Sequence, residues 1–345
     1  MRAEYDMTTH DVPPDESVEK YLQSRHDITE STRSNHRYRL GLFTQWTQEQ
    51  GIDTISELTG YDIQQYHNWR HSEDAPDCAP VTIQQHMHSL RVYLRWAERA
   101  ELVADGLADR VPIPTVSADE RSRDDTVAHE RATEIISELA QYQWASANHV
   151  LFGLLYHCGM RRSALRGLDV GDWDPDKRYL QIKNRAEEGT RIKLGAEGER
   201  HVTVHDSELA DAIDDWIANV RPEVTDDYGR DPLIATQHGR MHSTTISKKC
   251  RKLTRPCEVT GNCPHNREIE DCEATIARNA SKCPSSRGPH SLRRASITHH
   301  LDRDIPKEIV SARMSVSKPV LDQHYDARDE EQKRETRAQH LDRLD

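Results

Sequence analysis

The sequence predicts a mainly α chain with a small antiparallel β-sheet, divided into a helical N-terminal domain and an α+β C-terminal domain. Three observations carry that prediction. The stretch "VTIQQHMHSLRVYLRWAERAEL" places Ile83, Met87, Leu90, Leu94 and Ala97 at alternating steps of four and three, the spacing of one buried helical face. The stretch "VPIPTVSADERSRDDT", residues 111–126, breaks that pattern with two prolines in a polar run and reads as a linker. Beyond it, "RYLQIKN" at 178–184 and "RHVTVHD" at 200–206 alternate apolar and polar residues, as half-buried strands do.

A length of 345 residues fits two domains of ordinary size. With 35% hydrophobic and 31% charged residues and a mean hydropathy of −0.88, the chain is polar, yet its clear apolar periodicities exclude a disordered polymer. No apolar run approaches the roughly 20 residues that cross a bilayer. The start, "MRAEYDMTTHDVPPDE", carries no apolar signal region. A soluble, cytoplasmic protein with no membrane partner is expected. The net charge is −12, from 59 acidic against 47 basic residues, most of the latter arginine. Such an acidic, lysine-poor surface resembles proteins of halophilic archaea. It excludes strong non-specific attraction to DNA in dilute buffer, but not DNA binding as such. Above 1 M salt the screening length is about 3 Å or less, and local basic clusters then outweigh the total charge.

Residues 1–14 read as a flexible lead, and 15–110 carry only helical signals. In "STRSNHRYRLGLFTQWTQEQG", Ser31 is a candidate N-cap, Leu40, Phe43 and Trp46 form a buried stripe, and Gly51 is a stop. "TGYDIQQYHNWR" opens on Thr59 with Asp62 at the third helical position, the pattern of a capping box. Opposite the Ile83–Ala97 stripe stand His88, Arg91 and Arg95, either solvated or facing a phosphate backbone. Arg91 and Arg95 are the DNA-contact candidates. After the linker, set at 111–128, "HERATEIISELAQY" and "SANHVLFGLLYHCGM" read as helices. So does "SELADAIDDWIANVRP", with Leu209, Ile213, Trp216, Ile217 and Val220 on one face.

Four further features follow one another along the C-terminal domain. In "YHCGMRRSALRGLDVGDWD" an apolar helix breaks at Gly159 and Arg161 follows at once. The loop "AEEGTRIKLGAEGE", between the two strands, carries Lys193 near its apex. "PHSLRRASITHHLDR" puts His290 and Arg293 three apart, on one helical face. Tyr325, in "VLDQHYDARDE", is isolated, since no tyrosine lies between Tyr228 and it. The H-x-x-R spacing also begins at His36, His67, His88, His300 and His340, so the His290–Arg293 pair gains meaning only from its company. For Tyr325 the plain alternative is packing against the last helix.

This order of arginine, loop lysine, H-x-x-R and lone tyrosine resembles the tyrosine recombinase (phage integrase) family, in its Xer-like branch. Residues 15–110 resemble the family's helical core-binding domain, which clamps DNA. Residues 129–325 resemble its catalytic domain, here with a cysteine-rich insert at 250–285. Residues 326–345 form a charged tail, which docks on a neighbouring protomer in the family or is simply a solvated helix. The resemblance implies site-specific cutting and rejoining of double-stranded DNA by a homotetramer, with accessory proteins unspecified and no cofactor for catalysis. Arg161 and Arg293 would hold the non-bridging oxygens of the scissile phosphate and stabilise its transition state. Tyr325 would attack the phosphorus and leave a 3′-phosphotyrosyl link. Lys193 would protonate the leaving 5′ oxygen, and His290 would assist proton transfer at the tyrosine. Lys183, in the preceding strand, is a second candidate lysine. Two positions depart from the pattern. Ala164 stands where the family has an acidic residue, and Val316 where it has a His or Trp donor, with Ser315 or Ser317 as substitutes. Val316 therefore leaves open a DNA-binding regulator on a retired scaffold, and type IB topoisomerases share the phosphotyrosyl chemistry.

Of the seven cysteines, Cys78, Cys158 and Cys250 are scattered and read as structural. Cys257, Cys263, Cys272 and Cys283 crowd the insert without a C-x-x-C pair. The lack of a secretion signal argues against disulfides. Four thiolates in a loop with little apolar content predict a structural zinc, with His265 as a possible replacement ligand; reduced thiols or regulatory disulfides are the alternatives. Just upstream, Lys248, Lys249, Arg251, Lys252 and Arg255 form a basic ridge, the local candidate for further phosphate contacts.

Overall fold

The computed structural model describes residues 11–117 and 126–324. The chain divides into two compact units, with the boundary between residues 124 and 125. Tyr325 and the tail at 326–345 lie outside the described residues, as does most of the lead at 1–14.

The N-terminal unit is built from α1 (Pro14–Ser24), α2 (Glu30–Glu49), α3 (Gly60–Arg70) and α4 (Pro80–Arg99). Thr29, not Ser31, caps α2: its hydroxyl accepts from the Thr32 N–H, so the helix starts a residue before the expected cap. Gly51 ends it in the left-handed region at φ +70. The capping box at Thr59 and Asp62 is complete in both directions. On α4 the whole stripe from Ile83 to Ala97 is buried, packed with Tyr21, Phe43 and Tyr66 in one core. Burying each large side chain there contributes about 1.5–3 kcal/mol. Tyr93 donates its hydroxyl to Ser17 Oγ at 2.8 Å, which satisfies both groups in that core. The opposite face is partly committed within the unit: Arg91 donates to the carbonyl of Val111, and exposed Arg95 pairs with Asp109 at 3.3 Å.

In the C-terminal unit, α5 (His129–Tyr142) and α6 (Ala147–His157) come first, and α6 is buried nearly all round, from Val150 to Tyr156. The short α7 (Arg162–Gly167) leads to β1 (Trp173–Asp174), β2 (Tyr179–Ile182) and β3 (Arg200–Thr203), an antiparallel sheet in the order β1-β2-β3. Register is fixed by pairs such as Leu180 with Val202, both on the buried side. Next comes α8 (Ser207–Asp215), which passes into a π turn at Trp216–Val220. That turn, closed by Arg221 N–H on the Trp216 carbonyl, rotates the expected stripe: Trp216 stays buried while Val220 is exposed. A two-stranded hairpin, β4 (Ala235–Thr236) and β5 (Gly239–Arg240), precedes α9 (Ser243–Leu253) and α10 (Pro256–Thr260). The last described helices are α11 (Pro289–Asp302), α12 (Lys307–Met314) and α13 (Lys318–His324).

Between α10 and α11 the insert is held by side-chain hydrogen bonds. All four of its cysteines are free, and among the described residues no three His, Cys, Asp or Glu side chains converge to hold an ion. Burial, with Cys263 and Cys283 nearby, raises the Cys257 thiol pKa. His265 bonds Ser285 Oγ at 2.9 Å instead of joining a ligand set. Order comes from Arg255, which is buried and donates to the Ala274 carbonyl and to Glu258 at 2.6 Å. Arg255 is thus an internal tie, not part of a phosphate-facing ridge.

Candidate active site

An apolar helix that stops abruptly presents whatever follows it. α6 ends at His157 with Cys158 as its cap residue, Gly159 turns the chain with φ +57, and Arg161 becomes the N-cap residue of α7. From the other end of the sequence, α11 starts at Pro289, a residue suited to the first helical turn, so His290 lies in that turn and Arg293 follows at the start of the next. The loop from β2 to β3 brings Lys193. These segments meet. Arg161, Lys193, His290 and Arg293 line one open cleft of about 530 Å³, with Arg162, Ser163, Ser243, Ser247, Arg251 and Ser291.

The cleft is a cationic, hydroxyl-rich hollow in an acidic protein. Its lining carries four arginines, a lysine, a histidine and four serines, and no carboxylate among the described residues. Arg293 is buried and anchored, donating Nη1 to the Gly159 carbonyl at 2.6 Å. His290 and Lys193 are exposed. Arg161 is half-buried and donates Nη1 to Ser315 Oγ at 3.2 Å. Nearby Arg200 is lowered to about 10, by burial first and then by the like charges of Arg161 and Arg313. It remains a cation, and it adds to the positive field at Arg161.

A network of largely buried ion pairs reaches the lysine loop, where Arg230 donates to the Glu188 carbonyl at 2.7 Å and to Thr190 Oγ1 at 3.0 Å. Asp172 is held by Arg185 at 2.6 Å and by Lys183 at 2.9 Å. Arg240 joins Asp169 to Asp226, and Arg230 pairs with Asp226 at 2.8 Å. Burial alone would raise the Asp226 carboxyl, but the Arg230 and Tyr228 backbone N–H groups and the Arg240 and Arg230 guanidiniums pull it down to about 2. Lys183 is thereby committed to Asp172, which leaves Lys193 as the lysine in the cleft.

Several sequence expectations come apart here. Of the basic ridge, only Arg251 lines the cleft. Lys249 donates to Asn148 Oδ1 at 2.7 Å, Lys252 pairs with Glu258 at 2.9 Å, and Lys248 is exposed. Val316 is buried with Ile297, Leu301, Val310, Met314 and Leu321. Ala164 is likewise buried in the main core. Arg162, which donates to Ser247 at 2.8 Å, and Ser243 and Ser291 were not legible as site residues, because nothing in the local sequence distinguishes them from surface serines and arginines.

Comparison with known proteins places the chain in a family. Residues 18–101 match the phage integrase N-terminal SAM-like domain, and residues 126–331 match the phage integrase family. The tyrosine recombinase XerC of Mycobacterium bovis (strain BCG / Pasteur 1173P2) is 22% identical over 279 residues, 79% of this chain and 81% of that protein. XerC of Corynebacterium efficiens is 24% identical over 255 residues, covering 72% and 68%. Among solved structures, the Tn1549 transposon integrase in complex with a circular intermediate DNA has a similar fold, with a TM-score of 0.66 at 15% identity over 94% of this chain and 98% of that one. A lambda integrase dimer bound to a COC′ core site gives 0.61 at 14% identity over 91% and 77%. With a family model spanning the whole described C-terminal unit and a second one on the helical unit before it, this chain belongs to the phage integrase family, the tyrosine recombinases.

Proposed function

We propose that this chain cuts and rejoins duplex DNA at specific sites, with Arg161, Lys193, His290 and Arg293 serving a tyrosine nucleophile at Tyr325. As a member of its family it is an enzyme that transfers DNA strands. The observation that carries the residue assignment is the convergence of four distant positions, 161, 193, 290 and 293, on one cleft with no carboxylate among the described residues that line it. Two guanidinium forks match the non-bridging oxygens of a phosphodiester and stabilise the added charge of its five-coordinate transition state. The Tyr325 oxygen forms a bond to phosphorus as the bond to the 5′ oxygen breaks. The Lys193 ammonium gives its proton to that oxygen, while His290 assists removal of the phenolic proton. A free 5′-hydroxyl then attacks the phosphotyrosyl link in the reverse sense, and the strands are rejoined with no external energy source. No step requires a metal.

Arg162 and Arg251 extend the positive lining and supply further phosphate contacts. The DNA-bound dimers and tetramers known for lambda integrase support assembly of this chain on paired sites, with a tetramer as the exchanging form. The acidic, arginine-rich composition supports a cytoplasmic enzyme working at high salt. Among the described residues, no helix is long and apolar enough to cross a membrane.

The test is to incubate the full chain in concentrated potassium chloride with duplex fragments flanking its own gene, and to look for a denaturant-stable protein–DNA adduct. The adduct is expected with the native chain and absent with Tyr325→Phe. DNA binding without any adduct, even on nicked trapping substrates, would overturn the proposal in favour of a binding protein. Relaxation of supercoiled DNA without recombinant product would assign the chemistry to a topoisomerase.

A further inference from the structure

Ser315 ends α12 in the left-handed region, at φ 52 and ψ 58. Glycine would take that turn without strain, and a serine there carries a cost that the turn itself does not require. What the side chain gains is Arg161, whose Nη1 donates to Ser315 Oγ at 3.2 Å across 154 residues of sequence. The next residue, Val316, is buried in the apolar cluster of α11, α12 and α13. The turn is also held firmly. Ser311 Oγ donates to the Val316 carbonyl at 2.7 Å, and Arg200 donates Nε to the Arg313 carbonyl at 2.7 Å and Nη1 to the Gly198 carbonyl at 2.8 Å. Arg200 therefore ties the turn that presents Ser315 to the base of the loop that carries Lys193.

We propose that Ser315 is a further catalytic residue, whose hydroxyl donates a hydrogen bond to a non-bridging oxygen of the same phosphate that Arg161 binds. The inference rests on the proposed role of Arg161. A hydroxyl has one hydrogen to give and two lone pairs. With one lone pair on a guanidinium, its hydrogen is polarised and turns toward an anion seated on that guanidinium. The proton stays on the serine throughout. The hydrogen bond strengthens as charge builds on the phosphate oxygens, so it accelerates strand cleavage more than it tightens DNA binding.

The experiment measures single-turnover adduct formation by the full chain on a nicked duplex, with Ser315→Gly and Ser315→Asn beside the native protein. Each is run on the ordinary phosphate and on the two separated methylphosphonate diastereomers at the scissile position. Glycine relieves the backbone strain, so that variant folds, and loss of its donor is expected to slow cleavage about 10²-fold with DNA affinity unchanged. Asparagine tolerates the left-handed region and also donates, so it recovers part of the rate. The glycine deficit disappears on the diastereomer that lacks the oxygen touched by Ser315 and persists on the other. Cleavage by Ser315→Gly at the native rate, or an equal deficit on both diastereomers, would reduce Ser315 to a helix cap. No adduct from the native chain would overturn the proposed function itself, and the role of Ser315 with it.

Discussion

Arg293 Nη1 donates to the carbonyl oxygen of Gly159 at 2.6 Å, which fastens the second arginine of the cleft to the turn that delivers the first. A side chain at Gly159 disturbs both. With φ at +57, an added Cβ would stand 2.7 Å from Met314 Sδ. Gly159→Ala is expected to cost about 1–2 kcal/mol for the left-handed backbone alone, with the flexible thioether yielding to the methyl. Denaturant midpoints measure the loss, and single-turnover cleavage should fall further than the stability loss explains, because Arg161 moves with the turn.

The two candidate lysines separate by experiment. Lys193→Ala is expected to leave folding within about 0.5 kcal/mol of the native chain, as exposed substitutions do, while it abolishes cleavage of an ordinary phosphodiester. A substrate with sulfur at the bridging 5′ position, whose thiolate leaves without a proton, should restore cleavage. Lys183→Ala should do the reverse: it removes one of two cations on buried Asp172 and lowers the unfolding midpoint, with no rescue by the sulfur substrate.

Acid should loosen the C-terminal unit through its histidines. His129 stacks on His299 at 4.0 Å, and His300 lies 6.2 Å from both His205 and His299. Burial, opposed by the hydrogen bond to the Ser296 carbonyl and aided by the Arg313 charge, pushes His300 down to about 4; burial likewise lowers His157, His205 and His299. Asp206, 3.8 Å from His157, works the other way. A histidine depressed in the fold binds fewer protons there than in the unfolded chain. Its stabilising effect is therefore complete above about pH 6.5 and declines as pH falls toward 4. Unfolding midpoints should drop across that window, and His300→Gln should flatten the drop.

Arg255→Ala is expected to destabilise the insert by roughly 1–3 kcal/mol, since it leaves the Ala274 carbonyl without its charged donor. Amide exchange across 256–285 should rise while the helices of the N-terminal unit keep their protection. A zinc chelator, by contrast, should leave the native midpoint unchanged. A chelator-dependent fall would reinstate a metal on the four thiols.

Local and periodic features are legible in the sequence. The α4 stripe, the Thr59 capping box and the β2–β3 pair depend on residues near one another in sequence, and each formed as its spacing implied. What escaped depends on partners far along the chain. Arg255 and Lys249 read as surface cations, yet one is buried on Ala274 and the other reaches Asn148. The two-residue β1 is too short to show a period, and the π turn after Asp215 misdirected the last residue of an otherwise correct stripe. The spacing of the four cysteines does not by itself specify a ligand set, and among the described residues no three metal-ligating side chains form one. For the cleft, the order of Arg161, Lys193, His290 and Arg293 was visible, while its serines and Arg162 were not.

The ion pairs that join Asp169, Asp172 and Asp226 to their arginines bear on how this sequence can drift. Exchanging any one of Asp169, Asp172, Asp226, Arg185, Arg230 or Arg240 strands a charge among neighbours that are largely buried. Breaking such a pair costs about 3–5 kcal/mol, whereas replacing a whole set with apolar residues can be neutral. Single substitutions therefore meet a barrier that simultaneous ones avoid. The segment from Asp169 to Arg240 is constrained to be inherited as a block, so relatives should show these six positions either all kept or changed together.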